Sequence, residues 1–305
     1  MAIMGLPEEE YFSYGHRACA GCGAAIAIRL ITKAAGKNSI LVEPTGCIEV
    51  VSTPYPETAW RLPWIHGAFE NAASIASGIV AALKFMGKDK DINVVAFGGD
   101  GATYDIGFGH LSGAFERGDN ITYICYDNEA YMNTGIQRSG STPYGAYTTT
   151  SPSGRMSIGK KEWKKDLIHI LAAHGSPYVA NASIGYPIDA YNKIKRAIET
   201  KGPTFVNLFS TCPTGWRSST EKTVEIAKLA VDTGICPLFE IIDGKHVINR
   251  PKDISNLIPV EEYLKLQGRY KHLFKPEKKE GEIAFIQKRV KENLKLLLRC
   301  AECGL

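Results

Sequence analysis

The stretch INVVAFGGDG at residues 92–101 decides the fold, together with ITYICYDNEAYMNTG at residues 121–135. Each begins with a short apolar run rich in β-branched and aromatic residues, which is typical of a buried parallel strand. Asp100 and Asn128 follow these runs, at the carboxyl ends of two strands, where open α/β sheets bind their ligands. Carboxylate and amide oxygens among glycines suit Mg²⁺, which takes few protein ligands and completes its shell with substrate phosphates. The two stretches therefore predict a magnesium and diphosphate site.

The composition is that of a globular protein of ordinary charge. The chain has 305 residues, 44% of them hydrophobic, and a formal net charge of +4. This length can bury a full α/β core. The small positive surplus forms no clustered basic stripe of the kind that binds nucleic acid. No apolar run approaches the roughly 18 to 20 residues of a membrane span, and the acidic start at 7–10 is unlike a signal peptide, so we expect a cytoplasmic protein without nucleic-acid or membrane partners.

Strand-like and helix-like segments alternate along the chain. Strands are expected at 39–43, 92–97, 121–126, 178–184 and 204–210, a long helix at 67–86, a loop at 49–62 and a polar irregular segment at 135–160. Such alternation predicts an α/β fold with a doubly wound, mostly parallel sheet and helices on both faces. From about residue 222 helices are expected to dominate. We therefore predict an α/β domain over residues 1–220 and a helical C-terminal extension over residues 221–305.

Four cysteines fall where a metal centre at the same sheet edge would need them. Cys19 and Cys22 form a CxxC pair on a glycine turn, while Cys47 and Cys212 each follow a predicted strand. A proline follows Cys212, as it follows the last ligand of many iron–sulfur sites. Thiols of a cytoplasmic protein stay reduced, so grouped cysteines are better explained by metal or cluster ligation than by disulfides. These four thiolates are the number that a [4Fe–4S] cluster requires.

A second CxxC pair, Cys300 and Cys303, leaves an alternative open. With Cys19 and Cys22 it would make the four-cysteine set of a structural zinc site, and spacing alone does not decide between the two sets. Chain ends are usually mobile and are poor places for essential ligands, which favours the first set. The two remaining cysteines are expected to pack in the core: Cys125 and Cys236.

These residues belong to longer motifs that run along nearly the whole chain. The motifs are GHRACAGCGA (15–24), TGCIEV (45–50), PYPETAW (54–60), PWIHGAFENAA (63–73), AFGGDGATYDIG (96–107), YDNEAYMNTGIQRSGSTP (126–143) and KTVEIAKLAV (222–231). With them the sequence resembles the β subunits of the 2-oxoacid:ferredoxin oxidoreductase family, of the pyruvate:ferredoxin oxidoreductase type. The resemblance implies a thiamine diphosphate (ThDP)-binding α/β domain that holds Mg²⁺ and ligates one [4Fe–4S] cluster beside the cofactor.

The resemblance also implies the site residues, position by position. The implied cluster ligands are Cys19, Cys22, Cys47 and Cys212, and the implied Mg²⁺ ligands are Asp100, Asn128 and the backbone carbonyl of Ala130. The implied ThDP contacts are Thr45, Gly46, Cys47, Gly99, Asp100, Gly101, Ala102, Asn128, Ala130, Tyr131 and Asn133. Asn133 is the expected catalytic residue, at the reacting end of the cofactor. Ala24 departs from the pattern, because single-chain relatives carry a glutamate there, and this puts one ThDP contact in question.

A reaction and a set of partners follow from the resemblance. The implied reaction is the reversible oxidative decarboxylation of pyruvate with coenzyme A to acetyl-CoA and CO₂, with electrons passing through the cluster to ferredoxin. An α subunit is expected to supply the glutamate that activates ThDP, since Glu70 and Glu129 are interpreted as structural. Further γ and δ (ferredoxin-like) subunits are expected, and the C-terminal extension would pack on its partners. Three alternatives remain open: the same chemistry on 2-oxoisovalerate, 2-oxoglutarate or oxalate, a non-redox ThDP enzyme subunit, and a zinc-stabilised binding module.

Overall fold

One eight-stranded sheet organises the chain. The computed structural model describes residues 5–304, and the outer ends of the two predicted regions, residues 1–4 and 305, lie outside it. The strands are β1 (Ser39–Pro44), β2 (Trp64–Gly67), β3 (Asn93–Gly99), β4 (Thr122–Asp127), β5 (Tyr178–Ser183), β6 (Thr204–Phe209), β7 (Leu238–Ile242) and β8 (Lys245–Arg250). The helices are α1 (Gly23–Ala35), α2 (Cys47–Ser52), α3 (Ala72–Phe85), α4 (Phe108–Glu116), α5 (Leu167–Ala172), α6 (Pro187–Glu199), α7 (Pro213–Trp216), α8 (Thr223–Asp232), α9 (Val260–Leu264) and α10 (Glu280–Glu302).

The sheet is mostly parallel. Its strand order is β2-β1-β3-β4-β6-β5-β7-β8. The first six strands in this order pair in parallel, and the pairs β5–β7 and β7–β8 are antiparallel. Strands β4, β5 and β6 are buried along their whole length, as expected when helices cover both faces of a parallel sheet. The predicted fold class, a mostly parallel α/β sheet with a helical C-terminal segment, is confirmed.

Buried side chains form two apolar clusters, one on each face of the sheet. Helices α1 and α8 contribute to the first cluster with residues such as Ile28 and Ile226. Helices α3 and α4 contribute to the second with residues such as Val80 and Leu111. Full burial of one such side chain stabilises the fold by about 1.5–3 kcal/mol, so these faces hold the parallel strands in a fixed register. Their carboxyl ends consequently lie along one edge.

Helix α10 is the longest helix of the described chain and is amphipathic. Its buried residues recur at helical spacing: Ile283, Ile286, Val290, Leu294 and Leu297. Ile283, Ile286 and Val290 join the first apolar cluster and Leu297 joins the second, while charged residues occupy the outer face of the helix. Neither α10 nor any other helix between residues 5 and 304 is long and apolar enough to cross a membrane.

Three local features differ from the sequence predictions. The predicted helix 67–86 is present as α3 but begins only at Ala72. The edge strand β2 before it was not predicted, because its four residues are partly exposed and lack a strand-like apolar run. Helix α2 occupies the start of the predicted loop 49–62 and ends shortly before Pro54, which disfavours helical conformation in the residue before it. Strands β7 and β8 lie in the region where helices were expected to dominate. Residues of β8 alternate between exposed and half buried, so no apolar run marks it.

Candidate functional site

The predicted site residues lie where the parallel strands end. Strands β3 and β4 end side by side, with Gly99 opposite Tyr126. Asp100 and Asn128 come directly after these strands, and both are buried. The turn after β1 and the segment after β6 reach the same edge, because both strands belong to the same parallel set. Four strand ends therefore contribute to one site.

Three oxygen atoms of the predicted diphosphate motif converge at this edge. The side-chain oxygen of Asn128 faces Oδ1 of Asp100 and the backbone carbonyl oxygen of Ala130, at 2.9 Å from each. Oxygen atoms at this spacing repel one another unless a donor or a cation lies between them. With the amide turned over, its nitrogen would donate to both oxygens. With a cation between the three atoms, the oxygen orientation is the stable one.

The spacing of this oxygen triad fits an octahedral Mg²⁺ ion. Adjacent ligands with metal–oxygen bonds of about 2.1 Å lie about 3.0 Å apart. This value is close to the 2.9 Å that separates the Asn128 oxygen from its two neighbours. A carboxylate, an amide oxygen and a carbonyl are also the hard ligands that Mg²⁺ prefers, and they leave positions for diphosphate oxygens and water. The geometry and chemistry of Asp100, Asn128 and Ala130 thus fit the predicted metal role.

The electrostatics around Asp100 also favour a bound cation. Oγ of Ser139 donates to Oδ2 of Asp100 at 2.5 Å, and the backbone N–H of Asn128 donates to Oδ1 at 3.3 Å. Burial and the negative charge of Asp127 raise the pKa of Asp100 well above its usual range, while the charge of Lys164 opposes this rise. A divalent cation at the triad would stabilise the ionised carboxylate.

Two glycines allow the backbone beside the triad to pack closely against tyrosine side chains. A Cβ atom at Gly101 would lie 2.6 Å from the ring of Tyr131, and one at Gly46 would lie 2.6 Å from the hydroxyl of Tyr126. Only glycine allows such a close approach of the backbone. The other expected ThDP contacts lie at or just beyond the ends of β1, β3 and β4: Thr45, Cys47, Gly99, Ala102 and Asn133. Asn133 is exposed in the single chain.

The cysteines of the predicted cluster reach the same edge. Cys22 precedes α1, Cys47 begins α2 and Cys212 precedes α7. Burial raises the pKa of Cys47 to about 12, and the charges of Cys212, Cys22 and Cys19 contribute to this rise. The four sulfur atoms are therefore within electrostatic reach of one another. Holding them together as thiolates requires a positively charged partner, which a cluster's iron ions supply.

Backbone N–H groups point toward two of these sulfur atoms. Gly215 donates to Sγ of Cys212 at 3.3 Å. Burial raises the pKa of Cys22, and the N–H groups of Ala25 and Ala24 in the first turn of α1 oppose this rise. Donors at a helix N-terminus stabilise thiolate charge. These donors partly offset burial, which still raises the pKa of both Cys22 and Cys212.

The sulfur atoms are not gathered as the ligands of a single ion are. Across residues 5–304, no group of three or more His, Cys, Asp or Glu side chains has the geometry to hold one metal ion. A [4Fe–4S] cube holds its thiolates at separate corners, further apart than the ligands of one zinc ion. The second CxxC pair lies elsewhere, since Cys300 lines a cavity under α10 with Asp166 and His169, and Cys303 is exposed.

Gly23 lets the CxxC turn pack against the segment that carries Cys212. The Gly23 N–H donates to the carbonyl oxygen of Thr211 at 3.0 Å, and a Cβ atom at Gly23 would lie 2.5 Å from that oxygen. We expect Gly23→Ala to lower the free energy of unfolding by about 1–3 kcal/mol, because backbone must move to make room. Urea denaturation of the chain measures this change.

A matched control for this substitution is Gly78→Ala in α3. A Cβ atom at Gly78 would meet no atom within 4 Å. Alanine in a helix interior is more stable than glycine by about 0.5–1 kcal/mol, so this variant should gain stability. Equal effects of the two substitutions would contradict the packing at Gly23.

Lys160 holds the polar segment that covers Asp100. Its Nζ donates to the carbonyl oxygens of Gly140 and Thr142. Burial lowers the pKa of Lys160 from 10.5 to about 8. At pH values between about 8 and 10.5, Lys160 is protonated in the unfolded chain and neutral in the folded chain. Lys160 therefore makes the free energy of unfolding rise with pH in this range. We expect Lys160→Met to lose this part of the slope in urea denaturation across the same pH range, and an unchanged slope would contradict it.

Comparison with known proteins identifies the family. Residues 44–208 match the family model described as the thiamine pyrophosphate enzyme, C-terminal TPP binding domain. Pyruvate synthase subunit PorB of Methanothermobacter thermautotrophicus is 59% identical, over 90% of this chain and 94% of that protein. PorB of Methanocaldococcus jannaschii is 56% identical, over 97% of this chain and 99% of that protein. The chain belongs to the PorB family.

Proteins similar to this PorB family member also include subunits named for other 2-oxoacids. Ketoisovalerate oxidoreductase subunit VorB of Pyrococcus furiosus is 50% identical, over 97% of this chain and 95% of that protein. Among solved structures, a 2-oxoglutarate:ferredoxin oxidoreductase from Magnetococcus marinus is 25% identical with a TM-score of 0.57, over 74% of this chain and 83% of that one. The chain is accordingly a subunit of a thiamine-diphosphate-dependent oxidoreductase of 2-oxoacids.

The matched thiamine pyrophosphate domain and the cysteine set only partly overlap. The match at residues 44–208 includes Asp100, Asn128 and Cys47. The remaining three predicted cluster ligands lie outside it: Cys19, Cys22 and Cys212. Two of these three cysteines thus precede the matched residues, before α1, and one follows them, after β6.

Some residues that support the site were not assigned by sequence reasoning. Lys164 forms an ion pair with Asp127, and Arg269 forms one with Glu129 at 2.6 Å. Partners separated by 37 and 140 positions leave no short-range pattern in the sequence. The placement of Lys164 next to the long polar segment 135–160 is the one available signal.

Proposed function

We propose that this chain is the β subunit of a pyruvate:ferredoxin oxidoreductase. The complex decarboxylates pyruvate, transfers the acetyl group to coenzyme A and passes the electrons through a [4Fe–4S] cluster to ferredoxin, in a reversible reaction. The observation that carries the proposal is the meeting of the oxygen triad with the four cysteines at one sheet edge. The identity to PorB proteins over nearly the whole chain supports pyruvate as the substrate.

The residues at the sheet edge bind and orient the cofactor. ThDP, when bound, supplies the carbanion-stabilising chemistry that protein side chains lack. Asp100, Asn128 and the Ala130 carbonyl would hold Mg²⁺, which when bound would anchor the diphosphate of the cofactor. Gly46 and Gly101 let the backbone of these turns pack closely against Tyr126 and Tyr131, which fixes the turns at the site. The exposed Asn133 amide lies at the open end of the motif, where it orients the substrate.

The cysteines provide the path for electrons. In this proposal Cys19, Cys22, Cys47 and Cys212 ligate the cluster, whose iron ions accept electrons one at a time. The N–H donor from Gly215 and the first turn of α1 stabilise the negative charge of the thiolates. All eight cysteines are free thiols. A cluster requires reduced thiols, which supports the proposed cytoplasmic location.

Partner subunits complete the site. The acidic residue within the diphosphate motif, Glu129, is buried and committed to Arg269 at 2.6 Å, so it is unsuited to activating ThDP. We therefore assign the activating glutamate to an α subunit. Exposure of Asn133 and Thr45 in the single chain is expected if another subunit covers them. Further γ and δ (ferredoxin-like) subunits would carry additional clusters for electron transfer and would bind coenzyme A.

Substrate preference tests the proposal. The complete complex is purified anaerobically, and coenzyme-A-dependent reduction of a viologen dye is measured with pyruvate, 2-oxoisovalerate and 2-oxoglutarate, and with oxalate separately. We expect kcat/KM to be highest for pyruvate, by about 10-fold or more, the discrimination that a few methylene groups provide. A preference for another 2-oxoacid would reassign the substrate. Release of CO₂ without dye reduction, from a complex without iron, would instead favour the non-redox alternative.

A further inference from the structure

Arg269 is a buried cation between the two halves of the site. It lies in the turn at Gly268–Leu273, well beyond the matched cofactor domain. Its side chain is 3% exposed. The guanidinium carbon lies 3.8 Å from the centre of the Trp216 indole, and Nη2 donates to Oε2 of Glu129 at 2.6 Å. Nε donates to Gln267 at 2.8 Å, which fixes the orientation of the planar group.

On one side Arg269 supports the diphosphate motif. Glu129 has a positive φ of 67°, a conformation that costs free energy for any residue other than glycine. Its ion pair with Arg269 helps to hold it there. The Trp216 indole, on which Arg269 stacks, donates from Nε1 to the carbonyl oxygen of Asn128 at 2.8 Å. Arg269 therefore fixes, directly or through Trp216, the two residues that precede the Ala130 carbonyl in the oxygen triad.

On the other side Arg269 faces the cysteine set. Trp216 ends α7, the single helical turn that begins directly after Cys212. The backbone N–H of Trp216 donates to the carbonyl oxygen of Cys212 at 2.8 Å, so the guanidinium stacked on the Trp216 ring lies beside the turn that carries Cys212. The guanidinium thus stabilises negative charge at a predicted cluster ligand.

We propose that Arg269 is a positioning residue that both locks the diphosphate motif and raises the reduction potential of the cluster bound at Cys212. This inference rests on the proposed function, since it requires the cluster. A fixed positive charge stabilises the reduced cluster, which carries one more negative charge than the oxidised one. Electron transfer from the cofactor side to the cluster therefore becomes more favourable because of Arg269.

The test compares charge-changing variants in the anaerobically assembled complex. Arg269→Gln removes the cation, and Glu129→Gln removes the anion that partly offsets it. EPR-monitored redox titration is expected to give a lower midpoint potential for the first variant and a higher one, by a smaller amount, for the second. Both variants should weaken the binding of ThDP and Mg²⁺ by about 10- to 100-fold, as does the loss of a residue that holds metal ligands in place. Arg269→Lys should restore most of the potential and little of the cofactor affinity.

The control is Arg196→Gln, which breaks the 2.7 Å ion pair between Arg196 and Glu240. Glu240 lies in β7, near the opposite edge of the sheet from β1 and β3. This variant should leave the potential and the ThDP affinity unchanged. Shifts in the same direction for Arg269→Gln and Glu129→Gln, or no shifts with iron retained, would overturn the inference and leave the proposed function intact. A wild-type complex whose Cys212 binds no cluster would overturn both. If Arg269→Gln does not assemble, the rise in potential of Glu129→Gln decides.

Discussion

Asp100→Asn is expected to lose ThDP and Mg²⁺ almost completely. The substitution keeps the shape of the side chain and a partner for Ser139, and it removes the charged ligand of the oxygen triad. Loss of an outer-shell partner already lowers metal affinity by 10- to 100-fold, so loss of this ligand should lower it by at least about 100-fold. Calorimetric titration of the complex with ThDP and Mg²⁺ measures the change, and dye reduction should fall in parallel.

Stability separates this loss of binding from unfolding. Burial and the charge of Asp127 disfavour the ionised form of Asp100, so the neutral asparagine should leave the cofactor-free chain at least as stable as wild type. A suitable control is Asp119→Asn, which removes only a surface ion pair with Arg117. Unchanged ThDP affinity in Asp100→Asn would contradict the assignment of the metal site.

Cys212→Ser should remove the cluster of this chain. Serine keeps the shape of the side chain but is a poor iron ligand. The iron and sulfide of this one cluster, and the low-temperature EPR signal assigned to it, should therefore be lost. Pyruvate-dependent dye reduction should then fall by at least about 100-fold, because the acceptor beside the cofactor is absent. Iron analysis and EPR of the purified complex are the measurements.

The same measurements on Cys300→Ser distinguish the two possible ligand sets. Cys300 lines a cavity under α10 and is not one of the four proposed cluster ligands, so this variant should keep its iron and its activity. A zinc site would give the opposite pattern: zinc in the wild type, zinc lost in Cys300→Ser and retained in Cys212→Ser.

Short-range sequence patterns were enough to predict the centre of the fold. The apolar runs at 92–97 and 121–126 are buried parallel strands, and each leads directly into a polar residue, Asp100 or Asn128. In a parallel sheet this order places both residues at one edge without further information. The predicted core positions of Cys125 and Cys236 are confirmed, since both are buried. The positions of Cys47 and Cys212 after predicted strands placed the cysteines at this edge, and the longer motifs implied their role as cluster ligands.

Features that depend on distant contacts could not be predicted. Arg269 meets Glu129 across 140 positions, and neither residue carries a local signal of the pairing. The edge strands β2 and β8 were missed because they are short and half exposed, so sheet pairing and not an apolar run defines them. The positive φ of Glu129 was likewise invisible, because glutamate gives no indication of that conformation.

The most direct test of the account is freeze-quench EPR after pyruvate is mixed with the ThDP-loaded complex without an external electron acceptor. If Asp100 and Cys212 belong to one site, electrons from pyruvate reach the cluster directly from the cofactor. This arrangement predicts a reduced-cluster signal that appears at least as fast as turnover and is absent from both Asp100→Asn and Cys212→Ser. Turnover of pyruvate with no change in a cluster signal of this chain, or with zinc in place of iron, would contradict it.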